Sequence, residues 1–392
     1  MTVGTSYPGV YVEEKSSGIH PIEGVPTSIT AFIGRARGGP LNDPVLVHGF
    51  VEFERAFGGL SPHTTLDVAV RLFFENGGSK ALIVRVGAKN GRPITDADIS
   101  APRLEGKKRG LWALDKADLV NLLCIPPLAD GADIGAATRA AAVDYCRRRQ
   151  ALFIADPSVA WKTAAQAAAG LDAAFPAKSS HAALFFPYLQ VADARGRMRS
   201  VAPCGAVAGV VARIDAARGV WKAPAGIEAT LKGVSGPAVK LTDSQNGKLN
   251  ALGVNCLRTF AHPGPVVWGA RTLAGADQAA SEYKYIPVRR MASFIGESIQ
   301  QGIRWAVFEP NAEPAWAMIR LNVGAFMNQL WRLGAFQGSV PRDAYFVKCD
   351  AETTTQSDID AGVANVVVGF APLKPAEFVI VTIRQLFEKQ KP

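Results

Sequence analysis

Strand-like and helical segments alternate along residues 119–217, and this alternation restricts the possible folds more than any other feature of the sequence. Three short apolar runs are each followed by a helical segment: 119–125 by 136–150, 151–155 by 160–174, and 182–186 by 206–217. Consecutive parallel strands need a crossover of a dozen or more residues, which is usually a helix. The order therefore predicts βαβ units on a partly parallel sheet.

The residues before this segment contain a shorter strand, helix and strand pattern. Apolar runs at 30–33 and 81–86 are typical of buried strands. Between them, apolar residues recur at steps of three and four over 66–76, which predicts an amphipathic helix. Thr65 is the expected N-cap of this helix, and Gly77 is its expected end.

Two stretches rich in glycine and proline, 87–110 and 219–247, bracket the alternating segment and are predicted to be linkers. Beyond the second, one apolar stripe at helical spacing predicts a long helix with a buried face, formed by Trp316, Ile319, Val323, Phe326, Leu330 and Leu333. Arg320 and Arg332 lie about 120° apart around such a helix, so they do not form a single stripe.

Both chain ends look like extended arms. In residues 1–21, prolines and glycines exclude a helix, and strand character is confined to Val10, Tyr11 and Val12. The last strong strand former covers residues 377–386 and includes Phe378, Val379, Ile380, Val381, Thr382 and Ile383. An unpaired strand is an aggregation hazard, so we expect these segments to add to a neighbour's sheet. The alternative is that the last strand completes the sheet of its own domain.

The composition is that of a folded globular chain. Of 392 residues, 48% are apolar and 20% are charged, which excludes compositional disorder, and the length suggests two or three domains. The apolar runs are shorter than the ~18 residues that a membrane-spanning helix needs. The first 19 residues lack the basic and apolar regions of a signal peptide. We therefore expect folding in a reducing cytoplasm, with no membrane insertion.

The motifs of catalysis and metal binding are missing from the sequence. The five cysteines, at positions 124, 146, 204, 256 and 349, have neither metal-ligand nor disulfide-framework spacing, so we expect them to be buried small hydrophobic residues. No phosphate-binding loop, nucleophile elbow or paired histidine occurs. We predict no enzymatic activity, no cofactor and no metal. Gly205 and Gly209, four residues apart, predict a closely packed helix pair.

The positive charge is concentrated in one part of the chain. The net charge is +9, and residues 101–240 contain 19 Lys or Arg against 11 Asp or Glu. The densest basic clusters are 103–109, 147–149 and 195–199. Grouped cations suit phosphate binding, so one hypothesis is a nucleic-acid-binding structural protein that uses the basic 101–240 segment. The other interpretation is a solvated protein surface.

Several segments resemble contractile-tail sheath proteins. They begin with YPGVYVEE at residues 7–14 and TSITAFIG at 27–34, and continue in the family's order through AALFFPYLQV at 182–191, PCGAVAGVVARIDAARGVWKAPAG at 203–226, VVWGARTL at 266–273, YIPVRR at 285–290, VKCDAETTTQSDIDAG at 347–362 and PAEFVIVTI at 375–383. The resemblance spans essentially the whole chain. It is compatible with a phage tail, a tailocin or an extracellular contractile injection system.

The resemblance implies a structural subunit that polymerises helically, in stacked rings, around an inner tail tube and contracts from a metastable extended state to drive the tube through a target envelope. The implied partners are further copies of the chain, a tail tube protein, and baseplate and tail terminator proteins, with no nucleic acid. The implied location is a virion tail or injection particle, assembled in the host bacterial cytoplasm.

The resemblance also implies a mixed α/β and α+β architecture with a specific domain order. We expect a discontinuous tube-facing domain, an inserted outer α/β domain and two terminal arms, with the boundaries 22–90 with 245–375, 100–240, 1–21 and 376–392. In the family a helix of the C-terminal domain touches the tube largely through charge. That role is carried here to Glu313, Arg320 and Arg332.

Overall fold

A computed structural model describes residues 20–61, 64–87, 94–192 and 196–377. The chain divides into two compact units. One, the sheet unit, consists of Pro26–Ser293 with Leu373–Pro392; the other, the C-terminal unit, consists of Met1–Val25 with Phe294–Pro372. The predicted arm strands, Val10 to Val12 and Phe378 to Ile383, lie outside the described residues.

An eight-stranded sheet forms the centre of the sheet unit. Its strands are β1 (Thr30–Gly34), β2 (Val45–Val47), β3 (Ala81–Arg85), β4 (Leu122–Cys124), β5 (Leu152–Ala155), β6 (Ala182–Phe186), β10 (Val254–Phe260) and β11 (Gly264–Trp268). The order is β11-β10-β6-β5-β4-β1-β3-β2. All neighbours pair in parallel except the two edge strands, β2 and β11, which are antiparallel. The predicted βαβ arrangement is therefore confirmed.

Helices cover both faces of this sheet, because alternate residues of each buried strand point to opposite sides. In β1, Phe32 belongs to one apolar core, and Ala31 and Ile33 belong to the other. The α-helices that lie wholly within the sheet unit are α1 (Phe50–Phe57), α2 (Leu66–Glu75), α3 (Ala97–Ser100), α4 (Ala136–Arg148), α5 (Ala164–Ala174), α6 (Cys204–Arg218) and α7 (Asp243–Ala251). A second, antiparallel sheet contains β7 (Leu189–Ala192), β8 (Met198–Val201) and β9 (Gly236–Pro237), in the order β8-β7-β9.

The C-terminal unit is built from helices and an antiparallel pair of strands. Helix α8 (Ile286–Gly302) leads into it, and the other elements are α9 (Glu313–Arg332), α10 (Pro341–Ala344), β12 (Tyr345–Lys348), α11 (Gln356–Asp360) and β13 (Val367–Phe370). The predicted stripe of α9 is buried from Trp316 to Leu330, but Leu333 lies just beyond the helix and is 60% exposed. None of the helices in the described ranges is long and apolar enough to cross a membrane.

Strand pairing crosses the predicted domain boundaries. Strand β1 pairs with β3 on one side and with β4 on the other, so residues 22–90 and 100–240 contribute strands to one sheet. Strand β10 adds a part of 245–375 to the same sheet. The physical reason is the strand order: the chain passes from β3 across β1 to β4. The unit boundary lies at Ser293, not near residue 240.

The structure differs from two smaller predictions. Thr65 precedes α2, but its side chain does not cap the helix; its hydroxyl donates instead to the Pro127 carbonyl. The predicted linker 87–110 contains α3 and a short 3-10 turn at Pro102–Leu104. All five cysteines are buried, as expected.

The paired glycines of α6 lie against α2. A Cβ on Gly205 would lie 2.6 Å from the carbonyl carbon of Ala69, and a Cβ on Gly209 would lie 2.6 Å from Cβ of Asn76. Both distances are shorter than atoms tolerate, so only glycine permits this approach. The close packing predicted from the spacing is confirmed.

We predict that Gly209→Ala lowers the free energy of unfolding by about 1–3 kcal/mol, because the added methyl group overpacks the α2–α6 contact. Gly247→Ala in α7 is the matched control, since a Cβ there meets no atom within 4 Å. It should raise the unfolding free energy by about 0.5–1 kcal/mol, because alanine favours the helix. Urea denaturation measures both changes, and equal effects of the two variants would contradict the packing account.

Candidate assembly site

The described residues that adjoin the two arms are held by specific contacts, and these contacts are the strongest candidates for a functional site. The first described residue of the N-terminal arm is His20, whose ring stacks on Trp305 with centroids 4.5 Å apart. The His20 backbone N–H donates to Oδ1 of buried Asn322 at 3.1 Å. Ile22 is buried, and the Val25 N–H donates to Oγ of Ser298 at 3.1 Å. This root of the N-terminal arm is therefore fixed on α8 and α9.

The C-terminal arm has its root in the sheet unit, at Glu377. The carboxylate accepts two hydrogen bonds from Arg271, Nε to Oε1 at 2.7 Å and Nη2 to Oε2 at 2.5 Å. This is the bidentate geometry in which guanidinium and carboxylate bind most strongly. Tyr285 adds a hydroxyl donor at 3.2 Å. We call this group the Arg271 clamp.

Arg271 is only 1% exposed, so its remaining donors need partners. Its Nη1 donates to the carbonyl oxygens of Asn250 at 2.8 Å and Gly275 at 3.3 Å, and to Oδ1 of Asp277 at 2.9 Å. Asp277 is also paired with Lys284 at 2.7 Å. Four groups thus hold the guanidinium: the carboxylates of Glu377 and Asp277 and the carbonyls of Asn250 and Gly275. Removal of Glu377 would leave part of a buried charge unpaired.

The clamp changes the protonation behaviour of its members. Burial alone raises the pKa of Glu377, but the hydrogen bonds and charge of Arg271 outweigh burial and lower the pKa below its ordinary value. Burial and the nearby Glu377 carboxylate raise the pKa of Tyr285. Because the pKa of Glu377 is lowered on folding, the clamp stabilises the fold above the ordinary glutamate pKa and is lost only as pH falls below it.

A second buried ion pair holds two other segments of the sheet unit. Arg290 donates to both carboxylate oxygens of Asp215, at 2.7 and 2.5 Å. It also donates to the Thr27 carbonyl at 2.8 Å, and the Thr27 hydroxyl donates to Asp215 at 2.6 Å. Thr27 and Arg290 lie within a few residues of the unit boundaries at Val25 and Phe294. The chain is therefore anchored just inside the sheet unit at both places.

The described residues of the C-terminal unit form a sheet of two strands. Strands β12 and β13 pair antiparallel, with Tyr345 opposite Phe370 and Lys348 opposite Val367. In the described part of the chain, neither strand has a second strand beside it. Phe346 is 52% exposed and Val367 is 43% exposed. Unpaired edges with apolar side chains are a template for strand addition.

Two of the three charged residues predicted to touch a tube are paired with each other in the structure. Arg320 forms an ion pair with Glu313 and donates to the Cys349 carbonyl. The charges of Arg320 and Glu313 therefore have partners within the C-terminal unit. The Glu313 partner raises the pKa of Arg320. Arg332 is exposed and has no ion-pair partner among the described residues.

Sequence reasoning missed an exposed apolar residue on the same helix. Leu321 is 57% exposed and lies between Ala317 and Ala325, which are also exposed. At 100° per residue, Leu321 and Arg332 lie about 20° apart around the helix. The buried stripe alone could not reveal this second face, although its spacing at i, i+4 and i+8 is visible in the sequence. We call Ala317, Leu321, Ala325 and Arg332 the exposed α9 face.

Comparisons with known proteins give one consistent family. The phage tail sheath protein central domain matches residues 113–273, and the phage tail sheath C-terminal domain matches residues 278–385. The tail sheath protein of Vibrio phage KVP40 is 30% identical over 182 residues, which is 46% of this chain and 25% of that protein.

Solved sheath structures match over almost the whole chain. A sheath subunit from the PVC extracellular contractile injection system, in the contracted state, is 30% identical with a TM-score of 0.77, and the match covers 99% of this chain and 100% of that one. The helical sheath of the anti-feeding prophage, also contracted, is 28% identical with a TM-score of 0.75 and coverage of 97% and 99%. These relatives are structural proteins and not enzymes. The chain belongs to the phage tail sheath protein family.

Proposed function

We propose that the chain is the sheath subunit of a contractile particle, which polymerises helically around an inner tube and shortens to drive the tube through a target envelope. The observation that carries the proposal is the similarity along the full chain to the sheath subunit of a contractile injection system. The nucleic-acid-binding alternative has no support from the comparisons. The proposed location is a phage tail or injection particle, assembled in the bacterial cytoplasm.

The proposed partners are further copies of the chain, a tail tube protein, and the baseplate and terminator proteins that close the two ends. One relative was solved as part of the anti-feeding prophage baseplate, at 28% identity. The sequence offers no phosphate-binding loop, so the energy for contraction would reside in contacts between subunits. Those contacts must have two arrangements that differ in free energy.

The proposed links between subunits are the two arms. Each arm would add a strand to an open edge of the β12–β13 sheet of another copy. Strand addition satisfies the unpaired backbone groups of β12 and β13 through main-chain hydrogen bonds. The Arg271 clamp and the contacts of His20 with Trp305 and Asn322 support this proposal, because they fix the points from which the arms leave. A fixed root would keep each connection in place while neighbouring subunits move.

The proposed tube contact is the exposed α9 face, within a tube-facing C-terminal unit. Of the three charged residues expected at the tube, Arg332 lies on this face with Leu321, and Glu313 and Arg320 form an ion pair with each other. An exposed leucine and an exposed arginine on the same side of a helix combine an apolar contact with a charge that can select an acidic partner surface.

We predict that the purified chain forms long polymers that negative-stain microscopy detects. Nuclease treatment should leave them intact, because the proposed contacts are between protein surfaces. A nucleic-acid-binding protein would instead stay small and bind DNA with steep salt dependence. Small particles that bind DNA in this way would contradict the proposed function.

Two variants test whether the arms make these polymers. Deletion of residues 1–19, or replacement of Val379 and Val381 by proline, should abolish long particles, because proline removes a backbone donor from a paired strand. Thermal melting of the variant monomers should stay close to that of the wild-type monomer. A large loss of melting temperature in the proline variant would favour the alternative in which the last strand belongs to its own domain.

We predict that Arg332→Glu weakens binding of the subunit to purified tail tubes by about tenfold, since it reverses an unpaired charge on the exposed α9 face. Arg342→Glu is the control, because that side chain is 88% exposed in the same unit but lies outside α9. Co-sedimentation with tubes measures the difference. Equal binding by the two variants would contradict the tube-facing assignment of α9.

A further inference from the structure

The structure joins two of the three basic sequence clusters into one surface. Residues 103–109 lie beside the C-terminal end of α4, because Arg148 Nη1 contacts Oε1 of Glu105 at 3.2 Å. Arg147 and Arg148 are 67% and 46% exposed and share Asp144 as a partner. In the third cluster, Arg199 forms an ion pair with Asp130 at 2.7 Å.

Most cations of this joined surface are unpaired. Four of them are exposed and have no carboxylate partner among the described residues, namely Arg103, Lys107, Lys108 and Arg109. Together with Arg147 and Arg148 they outnumber the two carboxylates that pair with this group, Glu105 and Asp144. Cations crowded in this way repel one another, and an acidic partner surface would relieve the repulsion. We call these six cations the basic surface.

The C-terminal unit carries the opposite charge. Residues 294–372 contain five Lys or Arg and eight Asp or Glu. Four of the acids lie in the short stretch 350–360, which contains no Lys or Arg; they are Asp350, Glu352, Asp358 and Asp360. Glu352 and Asp360 are exposed, and the Glu352 carboxylate forms an ion pair with Lys348 at 3.2 Å. We call these four the acidic segment.

We propose that the basic surface of one subunit binds the acidic segment of a neighbouring copy of this chain. The inference rests on the proposed function, because it assigns a contact within the helical polymer. A polymer that does not close on itself uses heterologous contacts, in which one surface meets a different surface of the next copy. Two surfaces of opposite charge on one chain meet that requirement, and they also set the register in which copies associate.

Charge reversal with restoration tests the proposal in the full-length chain. Lys107→Glu with Lys108→Glu should raise the protein concentration needed for polymerisation at least tenfold at low salt, and so should Glu352→Lys with Asp360→Lys. All four substitutions in one chain should restore polymerisation, because each reversed surface again meets its opposite. Lys162→Glu with Lys240→Glu is the control, since it changes the net charge equally at exposed lysines elsewhere.

The result that would overturn the proposal is a fourfold variant as defective as either double variant, or double variants that polymerise like the control. A 30-base-pair DNA duplex is the second probe. If Lys107→Glu with Lys108→Glu abolishes DNA binding and leaves polymerisation unchanged, the basic surface is a nucleic-acid surface and the proposal is wrong.

Cross-linking provides an independent measurement on the wild-type chain. Carbodiimide treatment of mixed ¹⁴N- and ¹⁵N-labelled chains should join Lys107 or Lys108 of one copy to Glu352 or Asp360 of another, as mass spectrometry of mixed-isotope peptides reveals. Polymers that lack these cross-links would contradict this inference alone. A chain that forms neither polymers nor cross-links at any concentration would contradict the proposed function as well.

Discussion

The Arg271 clamp is the interaction on which the account of this subunit depends. A guanidinium that is 1% exposed must have nearly every donor satisfied, and here Glu377 supplies the bidentate pair. Breaking a buried pair from one side costs much more than an exposed pair is worth, because the remaining charge stays buried. The chain is therefore fixed at Glu377, immediately before the segment proposed to join the next subunit.

The Arg290–Asp215 pair extends the same arrangement. With the Arg271 clamp, it anchors the sheet unit near each place where the chain passes between units: Thr27, Arg290 and Glu377. A sheath subunit has to keep its fold while its neighbours change position. Buried ion pairs inside one unit serve that need, because the forces transmitted by arms would act on fixed points rather than on the sheet itself.

The sequence predicted local features well and long-range pairing poorly. The alternation over residues 119–217 predicted β4, β5 and β6 with their helices because strand and helix periodicities are local properties. The strand order could not be predicted, because nothing local shows that β1 lies between β3 and β4. The spacing of Gly205 and Gly209 predicted a close helix contact, but could not identify α2 as the partner.

The assembly site shows the same division. Strand character at the chain ends is visible in the sequence, and so is the exposed arginine at position 332. The partner of Arg271 is 106 residues away, so the sequence around Arg271 gives no sign of the clamp. Glu313 and Arg320 are seven residues apart, which is two helical turns, and this spacing brings their side chains together in an ion pair.

The most direct test of the fixed arm root is Glu377→Ala, with Glu282→Ala as the control at an exposed acid nearby. Sedimentation of the full-length chain under polymerising conditions measures assembly, and circular dichroism of the monomer measures the fold. The account predicts that Glu377→Ala keeps a folded monomer but forms few or short polymers, whereas Glu282→Ala behaves like the wild type. Polymers of wild-type length from Glu377→Ala would contradict it.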